Sequence, residues 1–182
     1  MTAAGRLMYE RGVAATSLDD VLAACGAGKS QLYHYFGGKH ELIAAVVDHQ
    51  LRQILAAQPR LAHLASWADF DDWAADLLAA HTGPAGPRAC PLGGMAGELA
   101  CDANLRDELD AAFRTWESYL ARALTRLHAR GELRGDADPD RLAAAAMAAL
   151  QGGLMLANLR SDVTPLRDAL TMALDHLRTA RA

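Results

Sequence analysis

Apolar residues recur along nearly the whole chain at helical spacing and almost nowhere in alternation. In SLDDVLAAC, residues 17–25, Leu18, Val21, Leu22 and Cys25 fall at i, i+3, i+4 and i+7, the stripe of a short amphipathic helix. Phe113, Trp116 and Leu120 mark one side of a longer helix, and Leu166, Leu170, Ala173, Leu174 and Leu177 mark another. Alternating β-branched runs are missing, so the pattern predicts an all-α fold of about nine helices. Breaks fall at Gly12, Gly26–Gly28, Gly37–Gly38, near Pro59, across residues 82–94, from Gly131 to Pro139, and near Ser161–Pro165. Ser17 with Asp20 three residues on reads as a capping box. Asp138-Pro139 and Thr164-Pro165 each place an N-cap oxygen before a proline suited to the first turn.

Composition narrows the class. The 182 residues are 52% apolar and 22% charged, the balance of a folded soluble chain able to bury a core. A basic patch followed by an apolar run is absent at the start, and no stretch of about 18 consecutive apolar residues occurs, so a cytoplasmic protein without a membrane span is expected. Cys25, Cys90 and Cys101 are odd in number and fit a reduced compartment. Net charge is −4, so DNA binding would need a local basic surface. His81, Cys90 and Cys101 match no zinc spacing, and no nucleophile, base and orienting group come together in the sequence. Neither enzymatic activity, a metal nor a cofactor is expected.

One segment admits two readings. CGAGKSQLYHYFGGK, residues 25–39, contains Gly28, Lys29 and Ser30, the end of a phosphate-loop motif. That motif requires glycine where Ala23 stands and a buried strand upstream, where a helix stripe is found instead. The alternative is a helix-turn-helix. Gly26 ends the first helix in the left-handed region, and a second short helix runs from about Gly28 to Phe36, burying Leu32 and Phe36. Lys29 and Lys39 sit in first turns of helices, where a cation opposes the helix dipole. Such positions suggest another use, of which DNA phosphate is the natural one.

These residues carry a family resemblance. Residues 3–47, AAGRLMYERGVAATSLDDVLAACGAGKSQLYHYFGGKHELIAAVV, resemble the DNA-binding head of TetR-family transcriptional repressors, with the small-residue first helix, T-S-L, glycine turn, L-Y-x-Y-F and K-x-E-L in register. Residues 131–154 resemble the start of that family's penultimate helix, and CPLGGMAGEL, residues 90–99, is similar to a stretch in a subgroup that senses hydrophobic, often aromatic, compounds. The resemblance implies a homodimer in which a three-helix head, residues 1–46, binds pseudo-palindromic operator DNA. Residues 47–182 would then bind a small hydrophobic effector that releases the DNA, and would carry the dimer contacts. By position, Thr16, Ser17, Gly28, Lys29, Ser30, Gln31, Tyr33, His34, Tyr35 and Lys39 match its DNA contacts. Gln31 and His34 suit base edges. Lys29, Ser30, Tyr33, Tyr35 and Lys39 suit phosphate, while Ser17 also suits a plain helix cap.

The chain departs from the family in two ways. Only Met1–Ala3 precede the small-residue part of helix 1, so the usual basic arm is nearly absent. Through Gln50, Arg6, Arg11, Lys29 and Lys39 face Glu10, Asp19, Asp20, Glu41 and Asp48, so the head is not basic overall. An effector-binding protein with a weakened operator grip is therefore the alternative expectation.

Beyond the head, Trp67, Phe70, Trp73, Leu77, Met95, Phe113, Trp116, Tyr119, Met147, Gln151 and Met155 form an aromatic and methionine-rich set, with Gln151 or His81 as polar anchors. The set suits either a flat apolar ligand or plain core packing. Ala149, Gly152, Gly153 and Leu156, with Leu166, Leu170, Ala173, Leu174 and Leu177, supply the small and apolar faces of an expected four-helix dimer interface.

Overall fold

Eight α-helices and one 3-10 helix are present among the residues described by the computed structural model, 1–26, 28, 30, 34–84 and 86–182. The helices are α1 (Thr2–Arg11), α2 (Leu18–Cys25), α3 (Lys39–Ala56), α4 (Trp67–Ala80), α5 (Pro91–Leu99), α6 (Ala103–Ala129), α7 (Pro139–Arg160) and α8 (Thr164–Thr179). The 3-10 helix, Pro59–His63, precedes α4. Among the described residues, β-type pairing is confined to one bridge, Leu133 with Arg181. The all-α expectation is met. The remaining expected helix spans 28–36, where Ser30, His34 and Tyr35 have helical backbone, while Lys29, Gln31, Leu32 and Tyr33 lie outside the described residues.

The chain divides into two units, Met1–Ile54 with Pro91–Phe113, and Leu55–Cys90 with Arg114–Ala182. Residues 1–46, expected as the head, lie in the first unit, which also takes in residues 91–113. Its core is Leu7 and Met8 of α1, Val21 and Leu22 of α2, Leu42, Ile43, Val46 and Val47 of α3, and Leu92, Met95 and Leu99 of α5. α1 packs on α2 and α5. Gly5 lies close to α3: a Cβ there would come within 2.5 Å of Gln50 Nε2, the movable end of that side chain. The α2 stripe is narrower than expected. Val21 and Leu22 are buried, whereas Leu18 is half-buried and Cys25 is exposed.

In the second unit α7 and α8 form the principal pair. Asp138 caps α7 by accepting from the amides of Asp140 and Arg141, with Pro139 in the first turn. The start of α8 differs from expectation. Thr164 does not cap; its amide and hydroxyl both donate to Asp162 at 2.9 Å, because the helix already begins at Thr164. Gly153 lets the two helices approach, since a Cβ there would lie 2.8 Å from Ala169 Cβ and 3.1 Å from Leu166 Cα. By length and composition α7 could cross a bilayer, yet Leu142, Ala146, Met147, Leu150 and Leu154 enter the core of this unit. α4 packs on α8 and on the 3-10 helix. Arg126 donates to the Leu64 carbonyl at 2.6 Å, and Arg178 pairs with Asp71, tying the start of α4 to its neighbours.

Candidate functional site

The head is built around a tightly bonded turn. α1 stops at Gly12, whose φ of 93° only glycine adopts readily, and its amide closes on the Met8 carbonyl at 3.0 Å. Thr16 follows, fully buried, with its hydroxyl donating to the Gly12 carbonyl at 2.7 Å. Thr16 therefore does not present its side chain to DNA, a correction to the sequence expectation: burial of the hydroxyl demanded a partner, and the turn supplied one. Ser17 is exposed and starts α2. Its Oγ accepts from the Asp20 amide at 3.1 Å, while the Asp20 carboxylate accepts from the Ser17 amide at 2.8 Å, completing the capping box. These bonds, the Ser17 hydroxyl first, hold the Asp20 carboxyl below the usual carboxylate range.

Gly26 ends α2 in the left-handed region, φ 66° and ψ 18°, its amide bonded to the Leu22 carbonyl at 3.0 Å. Beyond it Gly28, Ser30, His34 and Tyr35 are exposed, Tyr35 at 69%. The His34 and Tyr35 rings meet edge to face, centroids 5.3 Å apart. Phe36 is half-buried. Lys29, Gln31 and Tyr33, the other expected contacts of this segment, lie outside the described residues. At the start of α3 the Glu41 carboxylate accepts from the Gly37 amide at 2.8 Å. Lys39 is half-buried and donates to the Ala14 carbonyl at 3.1 Å. An ammonium has three donors, so this bond leaves others for phosphate.

Pattern reasoning missed one residue of this turn. Glu98 of α5 accepts from the amides of Val13 at 3.0 Å and Ala14 at 2.7 Å. Asp102, just before α6, lies 3.5 Å from His40 Nε2 on α3. No spacing rule connects residues 85 positions apart.

The aromatic set of the second unit is mostly packed core. Phe70, Trp73, Leu77, Trp116 and Met147 are buried, and the Trp73 indole donates to Gln58 at 3.0 Å. Trp67 lies 6.0 Å from Phe70 with the Arg181 guanidinium over its ring, and its buried indole nitrogen has no hydrogen-bond partner among the described residues. Gln151 is half-buried and approaches the Met147 sulfur at 3.5 Å, Tyr119 is half-buried under the Arg122 guanidinium, and His81 Nδ1 is 2.8 Å from the Leu77 carbonyl. Met155 is 60% exposed and points away from this core, a correction that follows from its place on the outer side of α7. Met95 and Phe113 belong to the first unit. A groove of about 390 Å³ opens elsewhere in the second unit, lined by Arg114, Glu117, Ser118, Arg122, Thr125 and Asp140.

The expected dimer set is also redistributed. Leu166, Leu170, Ala173, Leu174 and Leu177 are buried within the subunit, as is Gly153 against α8. Helix pairing inside one chain consumes them, because α7 and α8 bury their facing sides against each other. Ala149, Gly152 and Leu156 are half-buried, and the large apolar side chains left outside are Met155, Leu159 and Met172.

Comparison with known proteins decides the family. Residues 1–46 match the sequence model of bacterial regulatory proteins of the tetR family, and residues 71–173 match that of the tetracyclin repressor-like C-terminal domain. The chain belongs to the TetR family. Among TetR-family and other helix-turn-helix relatives, an HTH-type transcriptional regulator encoded in the lacX 3' region of Lactococcus lactis is 30% identical, over 91% of this chain and 85% of that protein. The transcriptional regulator AcuR of Cereibacter sphaeroides is 29% identical over 87% of this chain and 74% of its own length. The crystal structure of reduced Escherichia coli NemR shares the TetR fold, with a TM-score of 0.84 at 18% identity, covering all of this chain and 94% of that one. The protein is thus a DNA-binding transcriptional regulator.

Proposed function

We propose that this regulator is a cytoplasmic homodimeric repressor that binds a pseudo-palindromic operator and is released by a small hydrophobic effector. The observation that carries the DNA part is the exposed surface after the Gly26 turn, with Ser30, His34 and Tyr35 on helical backbone. In the proposed complex Gln31 and His34 read base edges, while Gly28, Lys29, Ser30, Tyr33, Tyr35 and Lys39 hold the phosphate backbone. Ser17 adds a backbone contact from the first turn of α2.

The homodimer reading is supported by Met155, Leu159 and Met172, at 60%, 76% and 62% exposure, on the helix pair that ends the chain. Apolar side chains so exposed on α7 and α8 suit burial against a second copy. Trp67 supports the effector reading: its buried indole N–H has no partner among the described residues and lies beside the buried Phe70 ring. A flat apolar ligand with one acceptor would satisfy that donor.

A second reading has its own observation. Arg6 pairs with Glu10 at 3.2 Å and Arg11 lies 3.9 Å from Asp20, so both arginines of the head face carboxylates. An effector-binding protein with a weak operator grip fits that charge pattern. A mobility-shift assay with DNA from upstream of its own gene separates the two: nanomolar binding is expected of the repressor, and binding no tighter than to random DNA would establish the alternative.

A further inference from the structure

The turn that leads into α2 has its backbone groups bonded almost one by one. The Gly12 carbonyl accepts from Thr16, the Ala14 carbonyl accepts from Lys39, and the amides of Val13 and Ala14 donate to the two oxygens of Glu98. Glu98 is the member that does not belong to the head's own sequence. It stands on α5, which packs on α1 within the first unit. Gly12 leaves room for it: a Cβ at that position would lie 3.0 Å from Glu98 Oε1. One carboxylate therefore closes two adjacent backbone donors, with Ala15 and Thr16 between them and the Ser17 cap. A charged acceptor makes these bonds shorter and stronger than neutral ones.

We propose that Glu98 is a positioning residue for DNA binding: by holding the Val13 and Ala14 amides it sets the path of the chain into α2, and so the aim of the helix-turn-helix. The side chain is itself exposed and makes no part of the expected DNA surface, so it acts through the turn. The inference rests on DNA binding by the head. Glutamine at 98 keeps the length but offers only one acceptor oxygen, placing an NH2 donor against a second backbone donor. Aspartate keeps the charge but falls one methylene short.

The test uses full-length protein and a duplex that the wild type selects from a random-sequence pool, with the active fraction set by stoichiometric titration. Glu98→Gln and Glu98→Asp are expected to weaken the selected duplex about tenfold and random duplex less than about threefold, because phosphate contacts tolerate a misaimed helix better than base contacts do. Amide exchange at Val13 and Ala14 should accelerate, while amides of α8 keep their protection. Equal losses on both duplexes would mean that Glu98 only supports folding and would overturn the proposal. So would faster exchange with unchanged affinity for the selected duplex. Failure of the wild type to select any duplex would instead sink the DNA-binding premise, and is thereby distinguishable.

Discussion

Thr16 and Ser17 are adjacent hydroxyls with opposite fates. Thr16 is buried and bonded to the Gly12 carbonyl, whereas Ser17 is exposed and caps α2. The sequence made Ser17 legible, because Asp20 stands three residues later, but nothing in spacing told which hydroxyl would be enclosed. Thr16→Val keeps the shape and leaves the half-buried Gly12 carbonyl without this donor, so a loss of about 1 kcal/mol is expected in denaturant unfolding. Ser66 repeats the cap at α4: its Oγ accepts from the Asp69 amide, and Asp69 accepts from the Ser66 amide at 2.8 Å. Ser66→Ala should cost about 1 kcal/mol, read from the same experiment. Asp20, Asp69, Asp102 and Asp162 are all held below the ordinary carboxylate range, by the Ser17 hydroxyl for Asp20 and by backbone amides of Ala65, Leu105 and Thr164 for the others. A depressed folded-state value favours the charged form in the native protein. This stabilisation is present above about pH 4 and is lost as pH falls through the lower folded values. Melting temperatures should accordingly fall below pH 4, and less steeply in Asp20→Asn; an identical slope in that variant would remove Asp20 from the account.

Helices were the most legible level, because a 3.6-residue apolar period leaves little choice of secondary structure. Their partners were less so. The stripe of Leu166, Leu170, Leu174 and Leu177 on α8 is as clear in sequence as any, yet periodicity reports only that a face is buried. It does not say whether the cover comes from the same chain. In the structure α7 and α4 of the same chain pack on α8, and Gly153 of α7 sits against Leu166 and Ala169. Gly153→Ala must push its Cβ into Ala169 and the Leu166 backbone, and a destabilisation of about 1–3 kcal/mol is expected in thermal or urea unfolding. A substitution that left stability unchanged would show that α7 and α8 can slide apart at no cost.

At the scale of the molecule, the proposed dimer makes the outer residues of α7 and α8 decisive. Leu159→Glu with Met172→Glu should convert the protein to monomers in sedimentation at micromolar concentration and abolish operator binding, while circular dichroism stays helical. A dimer that survives both charges would place the interface elsewhere. Two heads joined as a dimer should also require half-sites about one helical turn apart, which insertion of five base pairs between them would disrupt. By itself the sequence determined the all-α class, the turn at Gly26 and the Ser17 cap, because each is encoded by neighbours within about one or two helical turns, and the family, through the order of motifs across residues 3–47. Tertiary structure alone decided that Thr16 is enclosed, that α8's stripe is covered by helices of its own chain, that Met155 faces out, and that Glu98 closes the turn at Val13 and Ala14. Each of these depends on which distant segment arrives to fill a face or accept a proton, and local periodicity carries no information about the arriving partner.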